Sequence, residues 1–161
     1  MEKTTMQFPK VTGSNLTRKK LTLPQDFQGE LNLVLIAFQQ WQQTQVDTWI
    51  PFARQLEETY SGMRYYELPT IQRLNALART FVNEGMRAGI PNPVARERTI
   101  TLYLDKNAFR KALQLPHEDD IYVLLLDRQG QVLWQAEGAF TPEKGEALLA
   151  AFDGGQHNED Q

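Results

Sequence analysis

Cysteine is absent from the 161 residues. Disulfides, thiolate nucleophiles, iron–sulfur ligation and thiolate zinc sites are excluded together. Histidine is scarce. His117 and His157 stand far apart, and His157 falls in a polar tail, so neither a dedicated transition-metal site nor a cofactor is expected. Long apolar runs are missing too. The run Leu33 to Phe38 is far too short to cross a bilayer, and Met1 to Lys10 holds no apolar core of a secretory signal. Neither sign of charge dominates: a formal net charge of -3 provides no general attraction to nucleic acid or to an anionic membrane. These absences point to a soluble, cytoplasmic chain with neither nucleic-acid binding nor membrane insertion. One domain is expected over residues 1–152, with a disordered polar tail at 153–161.

What is present is patterned. Phe8 to Gly29 holds short apolar pieces between Pro9, Gly13, Pro24 and Gly29, and reads as short strands and turns at a sheet edge. Leu31 to Phe38 is nearly continuous in apolar residues, which suits a strand covered on both faces. In Gln42 to Tyr60, Val46, Trp49, Ile50, Ala53, Leu56 and Tyr60 recur at helical spacing, with Pro51 predicting a kink. Met63 to Leu68 reads as a strand ended by Pro69, and Thr70 to Met86 as a helix. Thr99 to Leu104 is a third strand, and Asn107 caps a short helix to Leu113. Ile121 to Leu126 is another buried strand. It turns at Asp127 to Gly130 into an antiparallel return over Gln131 to Ala136. Thr141 caps a last helix that runs from Pro142 to Phe152. Leu35 and Leu125 are expected in the core. The order gives a parallel crossover, then an antiparallel pair, with helices on both faces of a three-layer α/β domain.

That order resembles the thioredoxin fold, with the extra amino-terminal strands of its peroxiredoxin-like branch. The turn Trp41-Gln42-Gln43-Thr44-Gln45 resembles the segment that carries Trp-Cys-x-x-Cys in thioredoxins. Gln42 and Gln45 stand in the cysteine places, or, if the register is set by the proline, Gln43 and Val46 do. IYVLLLDRQGQVLW resembles the fold's central strand pair. Asp120 and Ile121 occupy the place of the cis-proline that usually precedes it. A closer resemblance is to the mitochondrial ATP synthase assembly factors. It is carried by Gln45-Val46-Asp47-Thr48-Trp49, by ELPTIQRLNALARTFVNEGMRAGIP and by IYVLLLDRQGQVLWQAEGAFTPEK. That resemblance implies assembly work on a membrane-sector subunit, without redox chemistry. The sequence departs from the mitochondrial members in lacking an Arg-rich amino-terminal transit segment.

Candidate sites follow from the residue types. Gln39, Gln40, Gln42, Gln43 and Gln45 surround Trp41 at a helix start, where free N–H groups favour an anion or a partner's carbonyl. The segment reads either as a recognition surface or as an ordinary solvated turn. Trp41 is expected to be exposed and to anchor a partner. His117, Glu118, Asp119 and Asp120 lie where the fold places its substrate-facing loop, and complete the expected partner-binding face. A weak cation site at this acidic run is an alternative to a solvated loop. Arg87, Arg96 and Arg98 could hold an anion, although surface ion pairs with Glu84 and Glu97 are the commoner fate of such residues. Tyr65, Tyr66, Tyr103, Trp49 and Trp134 read as packing residues. The leading expectation is a redox-inactive module that binds a protein or peptide client. The alternatives are a non-thiol enzyme built on Arg96, His117 and the acidic run, and a self-associating domain that forms homo-oligomers.

Overall fold

A computed structural model describes residues 6–72 and 98–159, with only the backbone path described beyond Ala151. Two short amino-terminal strands, β1 (Val11–Asn15) and β2 (Lys20–Leu23), form an antiparallel pair at one edge. The apolar run becomes β3 (Leu31–Ala37). A 3-10 turn over Gln40–Gln42 leads into α1 (Gln43–Thr59), which continues through Pro51. Then come β4 (Met63–Gln72), β5 (Ile100–Leu104), α2 (Lys106–Leu113), β6 (Tyr122–Asp127), β7 (Val132–Glu137) and α3 (Pro142–Glu159). The seven strands form one mixed sheet in the order β2-β1-β5-β4-β3-β6-β7. β4 is parallel to both β3 and β5, and β6 runs antiparallel to β3 and β7.

The continuous apolar runs are explained by two cores. Alternate residues of a strand point to opposite faces. Leu33 and Leu35 of β3 pack with Val123 and Leu125 of β6 under α1 and α3, against Val46, Trp49, Ala53, Leu56 and Leu148. Val34 and Ile36 pack with Tyr122, Leu124 and Leu126 on the other face. Phe109 and Leu113 of α2, with Phe8 and Phe27 of the amino-terminal arm, close that side. Leu35 and Leu125 are fully buried, as expected. Trp49 is buried, and its indole N–H donates to the Gly138 carbonyl at 3.0 Å.

Three local expectations are corrected. Pro69 does not end β4. The ladder with β3 closes at Ala37 opposite Pro69, and pairing with β5 begins at Thr70 opposite Leu102. The proline thus sits at a handover between neighbours, where a missing N–H costs least. Thr70 to Gln72 are therefore strand, and the rest of the helix expected to Met86 lies outside the described residues. The cap of α2 is Asp105, one of whose oxygens accepts from the N–H groups of Asn107 and Ala108 at 3.0 and 3.3 Å. Asn107 is already the second residue of α2, two positions too late to cap it. Finally, α3 runs to Glu159 and not to Phe152, because its glycine pair costs a helix only about 1 kcal/mol per residue.

The hairpin turn is as expected: Gly130 has φ +85°, and Asp127 Oδ1 accepts from Gln129 N and Gln131 N, both at 2.9 Å. Thr141 Oγ1 accepts from Lys144 N at 3.2 Å at the start of α3.

Candidate functional site

β3 delivers the chain to the start of α1 at one end of the sheet, and β6 begins beside it because the two strands are paired. The 3-10 turn and the loop before β6 are thereby brought together. Trp41, at the tip of the turn, is 58% exposed. Gln42, next to it, is fully buried. Its Oε1 accepts from Phe38 N at 2.9 Å and Gln39 N at 3.2 Å, and its Nε2 donates to the Glu118 carbonyl at 2.6 Å. Gln45 spans the same gap one turn later. Its Nε2 donates to Asp120 Oδ1 at 2.8 Å and its Oε1 accepts from Ile121 N at 3.0 Å. Gln42 and Gln45 both face this loop, as does Gln39 through Glu118. Val46 is in the core and Gln43 is exposed, so of the two pairs offered by the resemblance only Gln42 with Gln45 is hydrogen-bonded to this loop.

Of the expected surface residues, Gln42 is consequently buried and Glu118 half-buried. Gln42 stitches the turn to the loop. Glu118 accepts from Gln39 Nε2 at 3.0 Å and Lys106 Nζ at 3.2 Å, and lies 3.4 Å from Arg110 Nε. Lys106 Nζ also donates to the Phe38 carbonyl at 2.8 Å. The helix N–H groups are less free than expected, since the 3-10 turn extends α1 backwards: Gln42 N donates to Gln39 O at 3.0 Å, and Gln43 N to Gln40 O. What remains outward is Trp41, Gln39, Gln40, Gln43, Thr44 and Asp119, with His117 half-buried at the margin.

Gln43 Nε2 reaches Asp47 Oδ1 at 2.9 Å and Glu67 Oε1 at 3.2 Å. Burial pushes the Glu67 carboxyl up. The bond from Gln43 opposes that rise, Asp47 adds to it, and Arg54 opposes it again. His117 Nε2 lies 3.2 Å from Glu137 Oε2, and Asp119 N donates to His117 Nδ1 at 3.2 Å. The Tyr122 hydroxyl holds the His117 main chain at both ends, accepting from its N at 3.3 Å and donating to its O at 3.0 Å.

Among the described residues Arg98 has a partner the sequence did not suggest, and the expected Glu84 and Glu97 lie outside them. Its guanidinium pairs with Glu57, donates to the Tyr65 carbonyl at 3.3 Å and stacks 4.7 Å from the centre of the Tyr65 ring. An arginine so engaged is a structural cross-link between α1 and β4. Arg87 and Arg96 lie outside the described residues. The sequence had not singled out Lys106, Arg110, Glu67 or Glu137. A capped amphipathic α2 hints that Lys106 and Arg110 share a side, but nothing linear ties them to Glu118.

A mixed sheet with this strand order, in which a helix start and the loop before β6 meet through amides and no thiol, defines a thioredoxin-fold protein without a redox pair. Solved structures agree on the fold. One is a thiol:disulfide interchange protein DsbE of Chlorobium tepidum, with a TM-score of 0.56 at 18% identity over 94% of this chain and 96% of that one. Another is BsSco, a member of the Sco family of cytochrome c oxidase assembly proteins, at 0.59 and 11% identity over 93% and 95%. A third is the exposed lipoprotein thioredoxin Etrx1 of Streptococcus pneumoniae, at 0.56 and 10% identity over 90% and 98%. No curated protein matches the chain in sequence. The family itself is shown: the model for the ATP10 protein family matches residues 2–154, and the chain belongs to that family of ATP synthase assembly factors.

Proposed function

We propose that this chain is a redox-inactive binding module that holds a protein or peptide client across the turn at Trp41 and the adjoining Asp119 corner. The client we propose is a membrane-sector subunit of ATP synthase. What supports the reading is the absence of cysteine together with two amides that tie the start of α1 to the loop before β6. Gln42 and Gln45 spend their hydrogen bonds on the protein's own loop, so the cleft is closed by its own side chains. What is left to offer is a large exposed indole set among polar groups, and such a residue is a frequent anchor of an interface. Membership of an assembly-factor family supports a subunit as the client. Among the described residues no helix is long and apolar enough to cross a membrane, so the client is met from outside the bilayer in this reading.

Trp41→Ala is expected to weaken capture of the ATP synthase membrane-sector subunit by about 2 kcal/mol or more. Leu133→Ala removes the other large exposed apolar side chain among the described residues, on β7, and is expected to leave capture unchanged. Binding measured with purified proteins checks both. The opposite pattern would move the face to β7. Deleting the gene is expected to lower assembled complex at normal subunit synthesis, and full assembly in the deletion strain would remove this client.

A further inference from the structure

We propose that His117, Asp120 and Glu137 form a binding site for a divalent first-row metal ion of the zinc type, with three protein ligands and a fourth position open. The candidate ligand atoms of these residues all lie within 4.8 Å of one another. His117 Nε2 and Glu137 Oε2 are already 3.2 Å apart. Two donors held about 2.0–2.1 Å from a tetrahedral ion are themselves about 3.3 Å apart, so this pair needs almost no adjustment. The third donor, from Asp120, has to close by about 1.5 Å at most, which a side-chain rotation supplies.

The ligands stand on fixed supports. His117 is bracketed by the Tyr122 hydroxyl at its main-chain N and O. Glu137 is paired with Tyr122 across the β6–β7 ladder. Asp120 is steered by Gln45, whose Nε2 takes Oδ1 and leaves Oδ2 as the oxygen for an ion. Because Asp119 N donates to His117 Nδ1, the imidazole proton sits on Nε2 and points at Glu137. An ion at Nε2 takes that place, the proton moves to Nδ1 of the still neutral ring, and the Asp119 N–H gives way. Asp119 Oδ2, 4.0 Å from Nδ1, is then the carboxylate that steadies the ring from behind, an arrangement common around metal-bound histidine. Two carboxylates balance the charge of the ion. One imidazole with two carboxylates suits zinc better than magnesium or calcium, which ask for six or more oxygens. Linear spacing hides the set, since Glu137 arrives from β7. The proposal rests on these ligands alone and stands or falls apart from the client reading.

The test is calorimetric titration of the full chain with ZnCl2 alone, repeated with CoCl2 under visible absorption. One ion per chain is expected, with the strong absorption of four-coordinate cobalt. His117→Ala is expected to abolish saturable binding, and Glu137→Gln to weaken it at least about tenfold. Gln45→Ala, acting through Asp120, is expected to weaken it by about 10–100-fold. In the unmodified chain, zinc should shift the ring-nitrogen resonances of His117, a readout that needs no variant to fold. Absence of saturable binding overturns the proposal. So do unmoved His117 resonances at saturating zinc, or binding that survives both His117→Ala and Glu137→Gln.

Discussion

Glu67 sits beside the start of α1 with its carboxyl hydrogen-bonded by Gln43 and its ordinary range pushed upward by burial. The folded protein therefore holds the Glu67 proton more tightly than the unfolded chain does. By linkage, the contribution of this group is greatest below the unfolded carboxylate pKa and is lost as pH rises through the folded one. At neutral pH the ionised side chain is a liability. Glu67→Gln keeps an acceptor for Gln43 and removes the charge. It is expected to raise stability at neutral pH, and the gain should shrink as the solution is acidified through the carboxylate range. Urea melts at the two pH values check this; an equal gain at both would show that charge is not the cause. Gln42 and Gln45 teach a related lesson at the same scale. An amide can donate and accept at once, so each of these glutamines uses both ends of its side chain in cross-linking the start of α1 to the segments beside it.

Between the start of α1 and the loop before β6, the same amides determine how firmly two elements are joined. Gln42→Cys with Gln45→Cys removes the tethers from Glu118, Asp120 and Ile121 and restores an i, i+3 thiol pair at a helix start, within disulfide reach. Mild oxidant is expected to close that disulfide. The reduced double variant should be less stable than the parent by at least about 1–3 kcal/mol, because buried groups lose their partners. Thiol titration and denaturant melts check the two halves separately. A pair at Gln43 and Val46 is expected not to close, since the two point to solvent and to the core. At this scale most elements were legible. β3, α1, β6 and the hairpin follow from apolar periodicity and from turn residues with a mechanism. The end of β4 did not, because a proline is read locally as a stop, while its cost depends on which neighbour its missing N–H would have faced. Asp105 was passed over for Asn107 for a similar reason: both are good caps, and only the observed first residue of α2 separates them.

Across the whole molecule the sheet separates two cores, and their independence is measurable. Leu125 packs on the α1 and α3 face and Leu102 on the α2 face, and both are fully buried. They lie on strands three places apart in the sheet, about 14 Å. Each Leu→Ala change is expected to cost about 2–5 kcal/mol through lost burial and a residual cavity. The double variant should cost the sum within about 0.5 kcal/mol, since distant sites without shared partners add. Equilibrium unfolding of the three variants checks this, and a large shortfall would mean that the two faces communicate through the sheet. The sequence by itself determined the absence of cysteine, the α/β class and the two-faced burial of β3 and β6, because these depend on residue identity and on periodicity along the chain. It also marked Trp41 as outward, from its place in a polar turn. Only the tertiary structure decided which glutamines look inward, that Glu118 is claimed by Lys106 and Arg110, that Arg98 belongs to Glu57, and that Glu137 meets His117. Those are pairings between distant segments, and the partner of a polar side chain is whichever group the packing of strands and helices sets within about 3 Å of it.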